Sequence, residues 1–221
     1  HRHLSAMPPN QSRPSPAISR IYLMLYNTIC AFFWLRILVL AVDTLISAPD
    51  KDIPVAYTTL EPWTRCAQTL AVAEILHAAT GSLSGITRSP VFTTFTQVFA
   101  RSVQVWAINY AFPEVTAPSA VYLAMLLAWS TADVIRYLYF AIMLAGYPVP
   151  RALKWSRYSL FTILYPIGIS SEWWLMYKVT NVTTNMILAG TFYFCLGLYV
   201  PGSAMMYTYM LKQRKKVLTQ N

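Results

Sequence analysis

Residues 151–178 read RALKWSRYSLFTILYPIGISSEWWLMYK, and the way this stretch is taken decides the fold. It is long and apolar enough to cross a bilayer, which takes about 20 predominantly apolar residues. Arg151, Lys154 and Arg157 make its near end basic, and Trp173, Trp174 and Tyr177 make its far end aromatic, as interfacial anchors do. Two groups inside it are expensive in lipid. Glu172 is ionisable, and such a residue within a span points to function by default. Tyr165 precedes it by seven residues, a spacing about 20° short of two helical turns, so both face one neighbour. Between them, Pro166 removes a backbone hydrogen bond and pushes Tyr165 off ideal helical geometry, and Gly168 follows. Two readings fit: a cavity built beside a bend, or a kinked span whose Glu is tied to a neighbouring Arg or hydroxyl.

The rest of the chain extends this pattern. A 221-residue chain that is 56% hydrophobic, 14% aromatic and only 11% charged is not an ordinary soluble globule. Apolar runs recur near 18–46, 60–83, 91–112, 119–146, within the quoted stretch, and over 185–211. The expectation is an all-α polytopic membrane protein, a bundle of six transmembrane helices. A disordered N-terminal tail over 1–17, one membrane domain over 18–212 and a basic C-terminal tail over 213–221 complete it. Pro and Asp in SAPDKDIP and Pro in PEVTAP mark turns, and Pro201 with Gly202 interrupts the last run.

Loop charges assign the sides. Arg2, Arg13, Arg20, Arg88, Arg151, Lys154, Arg157, Lys212, Arg214, Lys215 and Lys216 fall on one side, against Lys51, Arg65 and Lys178 on the other. The positive-inside rule then places both termini in the cytosol. Topology thus accounts for the net charge of +9, and no basic face interleaved with exposed aromatics offers itself to nucleic acid. Asn181-Val-Thr183 becomes a lumenal glycosylation sequon lying close against the membrane. Cys30, Cys66 and Cys195 form neither a disulfide framework nor a metal pattern.

Other constellations are better read as structural. Glu74 and His77 make Glu-x-x-His, a metal-ligating spacing in helix bundles, but the further carboxylates and second copy are lacking, so a hydrogen-bonded polar pair is expected and no metal. Asp133 and Arg136, three apart on one helix, neutralise each other. Cys30 and Arg36 have the Cys-x5-Arg spacing of a tyrosine phosphatase, yet a transmembrane helix has already used the amides that would cradle phosphate. With no Gly-rich nucleotide loop, His-box or Ser-His-Asp set, the remaining chemistry is carboxylate, phenol and guanidinium. That set suits proton transfer without a cofactor.

Four stretches together resemble the very-long-chain 3-hydroxyacyl-CoA dehydratases, the protein-tyrosine-phosphatase-like membrane proteins. They are residues 22–27 (YLMLYN), 74–77 (EILH) with Arg88-Ser-Pro90 and TTFTQV, 129–137 (WSTADVIRY), and 157–172 (RYSLFTILYPIGISSE). The resemblance implies that Tyr165 and Glu172 are the catalytic pair. It implies an endoplasmic-reticulum protein that removes water from a 3-hydroxyacyl-CoA to give the trans-2-enoyl-CoA in fatty-acid elongation. Its partners would be membrane lipid and the condensing enzyme, ketoacyl-CoA reductase and enoyl-CoA reductase of that cycle. Candidate substrate contacts on the matching segments are Arg136, Tyr137, Tyr158, Gly168 and Ser171. Arg151, Lys154 and Arg157, with Arg88, are placed by topology to meet the phosphates of coenzyme A, or serve only as topology signals.

One difficulty is visible in advance. Seven residues of regular helix separate Tyr165 and Glu172 by about 10.5 Å along the axis, too far for two neighbouring substrate carbons unless the bend or a water helps. Either group can be the acid. A catalytically idle scaffold of the same family and a small proton-coupled transporter are the alternatives.

Overall fold

The computed structural model describes residues 17–47, 53–80 and 91–219. Among them every regular element is helical. Helix α1 (Ala17–Ser47) leads into α2 (Ile53–Leu70) and the short α3 (Ala73–Ala79). Helix α4 (Val91–Val103) runs directly into a π-helical segment, Gln104–Tyr110. A single turn, α5 (Pro113–Thr116), precedes α6 (Ala120–Ala145), and then come α7 (Arg151–Ser159), α8 (Phe161–Val182) and α9 (Met186–Leu218). Helices α1, α6 and α9 are long and apolar enough to cross a membrane.

Helix α6 is the post of the bundle, with α1 against one side and α8 against the other, while α9 leans on α8. The core they share is aromatic and aliphatic: Trp34 and Ile37 from α1, Leu60 from α2, Met125, Leu126 and Tyr137 from α6, and Leu175 and Met176 from α8 are fully buried. Burying such a side chain is worth about 1.5–3 kcal/mol against water, but a lipid reference supplies no such drive, so close packing carries more of the load here. Only Phe192 and Leu196 of α9 are buried.

Several elements depart from the sequence reading. The first quoted stretch is two helices, because the chain breaks at Leu160 between α7 and α8. Helix α9 passes through Pro201 and Gly202 without interruption. The ring costs one backbone bond, a loss that long helices in lipid absorb. Helix α9 runs on through residues 213–218, and α1 begins at Ala17. The expected second span is divided: Val72 N bonds Thr69 O, and Ile75 N bonds Val72 O, a tightening that re-aims α3. The N-terminal tail over 1–16 and Arg88 lie outside the described residues.

Two caps fix the ends that matter. Gly146 closes α6 at φ +86, the left-handed conformation that Gly adopts without strain, and a Cβ there would meet Arg20 Nη2 at 2.9 Å. Arg20 Nε in turn donates to Leu144 O at 2.6 Å, tying α1 to the end of α6. Asn185 opens α9 by accepting from the amides of Ile187 and Leu188.

Candidate active site

Glu172 points inward from α8 and is 4% exposed. Both carboxylate oxygens are taken. The indole Nε1 of Trp129 on α6 donates to Oε1 at 2.8 Å, and the hydroxyl of Tyr199 on α9 donates to Oε2 at 3.0 Å. A buried carboxylate needs such donors, since an unpaired one would be prohibitively costly. Gly168 lies one turn before Glu172, where a Cβ would stand 3.4 Å from Trp129 Cδ1 and Nε1. The indole thus packs beside this turn of α8 with space for a methyl group but for little more.

Behind Trp129 sits a second charge. The Arg101 guanidinium from α4 lies 4.2 Å from the Trp129 ring centroid and 5.0 Å from that of Trp34, within cation–π range. Asp133 Oδ2 anchors Arg101 at 2.7 Å, and the Arg101 charge reaches Glu172 electrostatically. Asp133 Oδ1 accepts from Arg136 Nε at 3.3 Å. Arg136 grips Glu74 through Nη1 at 2.8 Å and Nη2 at 3.2 Å, a two-pronged pair, and the Tyr137 hydroxyl donates to Glu74 Oε1. Charges of alternating sign thus run from α3 through α6 to α4 and end at the indole that holds Glu172.

Tyr165 lies on the outer side of the same helix, half-buried. Its ring stacks on Tyr207 of α9, centroids 6.0 Å apart. Tyr165, Pro166, Ile169, Ser203, Ala204 and Tyr207 line a cavity of about 240 Å³. A neighbouring one of about 470 Å³ is lined by Pro166, Ile169, Ser170, Trp173, Trp174, Tyr199, Val200 and Ser203. Shared walls at Pro166, Ile169 and Ser203 make the two a single groove between α8 and α9. Tyr165 lines one part of it, and Tyr199 stands between the other part and Glu172.

The remaining sequence candidates fall in three places. Arg136 and Tyr137 are tied to Glu74, away from the groove. Ser171 is buried beside Glu172 in α8. Arg151 is exposed on the first turn of α7 and Lys154 is half-buried one turn on. Arg157 folds over Tyr139, Phe140 and Tyr158, at 4.7, 4.4 and 5.5 Å from their ring centroids. The expected Glu74–His77 pair is not formed. The re-aimed α3 sends Glu74 to Arg136 on α6, whereas His77 meets the Tyr22 hydroxyl of α1 at 3.0 Å. Among the described residues no group of three or more His, Cys, Asp or Glu is arranged to hold a metal ion.

Trp129, Tyr199, Arg101 and Ser203 were not singled out for the site from sequence. Trp129 opens the 129–137 stretch with no role of its own, Tyr199 lies in an apolar run, and no spacing rule links residues 43 or 27 apart to Glu172. Arg101 offers a signal, being a cation inside an apolar run.

Residues 68–220 match the family described as Protein tyrosine phosphatase-like protein, PTPLA. The chain is 38% identical to the "Probable very-long-chain (3R)-3-hydroxyacyl-CoA dehydratase" of Schizosaccharomyces pombe, over 89% of this chain and 92% of that one. It is also 38% identical to "Very-long-chain (3R)-3-hydroxyacyl-CoA dehydratase PASTICCINO 2" of Arabidopsis thaliana, covering 92% and 96%. With the human "Very-long-chain (3R)-3-hydroxyacyl-CoA dehydratase 2" identity is 30%, over 91% and 82%. No solved structure matches the chain.

Proposed function

The chain belongs to the protein tyrosine phosphatase-like (PTPLA) family, and from that premise we propose that it is a hydro-lyase converting long and very-long-chain 3-hydroxyacyl-CoA to trans-2-enoyl-CoA, the third step of fatty-acid elongation. The observation that carries this reading is a buried carboxylate, Glu172, held by two donors behind a groove that also receives a phenol, Tyr165.

Elimination needs a base for the C2 proton and an acid for the departing C3 hydroxyl. Glu172 takes the C2 proton as the C2–C3 double bond forms. Tyr165 gives its proton to the leaving hydroxyl, which departs as water, leaving Tyr165 as phenolate. Trp129 and Tyr199 fix the carboxylate so that little reorganisation is needed as its charge changes. No cofactor enters this scheme.

The bundle crosses the endoplasmic-reticulum membrane six times with both termini cytosolic, and residues 18–212 form its one catalytic domain. Helix α2 with α3, helix α4 with the π-helical segment, and α8 supply the crossings beyond α1, α6 and α9. Helix α7 then lies on the cytosolic side, where Arg151, Lys154 and Arg157 meet the phosphates of coenzyme A. The acyl chain occupies the groove, and the condensing enzyme and the two reductases of the cycle are its working neighbours.

Microsomal turnover of 3-hydroxyacyl-CoA by Glu172→Gln and Tyr165→Phe tests this. Each is expected to lose at least about a hundredfold in rate, the usual scale for removing a general acid or base. Unchanged turnover in both would remove the assignment.

A further inference from the structure

Glu172 lines neither part of the groove, and both of its carboxylate oxygens already accept hydrogen bonds. The two donors are not equivalent. Trp129 belongs to α6 and lines neither part of the groove. Tyr199 does both things: its hydroxyl donates to Glu172 Oε2 at 3.0 Å, and its side chain walls the larger part. A substrate carbon that comes from the groove to Glu172 therefore arrives alongside Tyr199. Other donors along the groove are committed to backbone carbonyls. Ser170 donates to Ile167 O at 3.1 Å, Trp173 Nε1 to Leu196 O at 3.3 Å, and Tyr207 to Thr162 O at 3.4 Å.

We propose that Tyr199 is a third catalytic residue, whose hydroxyl turns from Glu172 to the thioester carbonyl oxygen as the C2 proton is withdrawn. This rests on the assignment of Glu172 as base and Tyr165 as acid. As the C2–H bond breaks, its proton goes to Glu172 and its electron pair spreads onto the carbonyl oxygen. The same pair becomes the C2–C3 double bond as the C3–O bond breaks. The departing hydroxyl takes the Tyr165 proton and leaves as water. Tyr199 keeps its own proton throughout. With Tyr165 at the C3 hydroxyl, the carbonyl oxygen is the acceptor left for a phenol beside Glu172. Hydrogen bonds to charged acceptors are the strong ones, and the negative charge moves from the carboxylate to that oxygen during the reaction. The gain from Tyr199 at the carbonyl thus arises only on the way to the transition state, which is where binding accelerates chemistry.

The test uses the full chain in lipid nanodiscs and two substrates, 3-hydroxyacyl-CoA and its dithioester. In the dithioester a sulfur, a weak hydrogen-bond acceptor, replaces the carbonyl oxygen, while the C2 proton and the C3 hydroxyl stay. Tyr199→Phe is expected to slow the thioester about a hundredfold or more, the scale of one lost donor to a developing oxyanion, and the dithioester far less. The thioester-to-dithioester ratio of kcat should therefore fall at least about tenfold. Both rates come from one preparation, so any loss of folded protein cancels in the ratio. Trp129→Phe removes a donor to Glu172 that does not face the groove, and should slow both substrates alike with the ratio kept. The same unchanged ratio in Tyr199→Phe would mean that this phenol only holds Glu172, and overturns the proposal. Failure of the underlying assignment reads out separately, as native turnover of the thioester by Glu172→Gln.

Discussion

Trp129 on α6 and Glu172 on α8 are joined by a 2.8 Å hydrogen bond from indole Nε1 to carboxylate Oε1, across 43 residues of sequence. Gly168 lies beside the indole with room for little more than a Cβ, and Arg101 lies over the ring. The carboxylate is therefore set by a helix other than its own.

Replacing Trp129 with Phe keeps an aromatic ring and deletes the donor. A hydrogen bond to a charged group is worth about 1.5–3 kcal/mol, so kcat should fall roughly 10- to 100-fold with KM little changed. Steady-state kinetics on purified protein measures both.

Gly168 discriminates by size. Ala places a Cβ at 3.4 Å from the indole, which is contact without overlap, and should retain most activity. Val adds methyl groups where Trp129 sits, and should cost as much as Trp129→Phe or more. The pair of variants, assayed side by side, checks the close approach and not merely a need for Gly.

Arg101 is held by Asp133 and stacked between Trp34 and Trp129. Arg101→Met leaves buried Asp133 with one partner fewer; breaking a buried pair costs about 3–5 kcal/mol, so the thermal midpoint in detergent should drop clearly. Arg101→Lys keeps the charge but not the flat guanidinium, and should recover stability more fully than turnover.

Glu74→Gln tests whether the distant charges are structural. It weakens the two-pronged grip of Arg136 and the Tyr137 contact. Stability should fall while the turnover of the folded fraction stays within about threefold of native, the behaviour of a site outside the reacting groups. A large loss in kcat at unchanged stability would assign Glu74 a chemical part.

The helical content, the apolar runs and the Tyr165/Glu172 spacing were legible because periodicity and the cost of a charge in lipid are local properties of sequence. Partners were not. Glu74 looked destined for His77, three residues away, until the turn at Val72 gave it to Arg136, 62 residues on. The division of α4 from its π-helical continuation, which buries Gln104 and Asn109, left no recognisable mark in the letters. The seven-residue gap between acid and phenol is too long for α8 alone to close. The side chains that meet its two ends, Tyr199 at Glu172 and Tyr207 at Tyr165, belong to α9, and no single-helix spacing reveals them.

Trp174 and Val200, outer walls of the groove, leave 44% and 71% of their surfaces uncovered. If the acyl chain lies in this groove as proposed, its tail would leave between two largely uncovered side chains instead of ending against a buried wall.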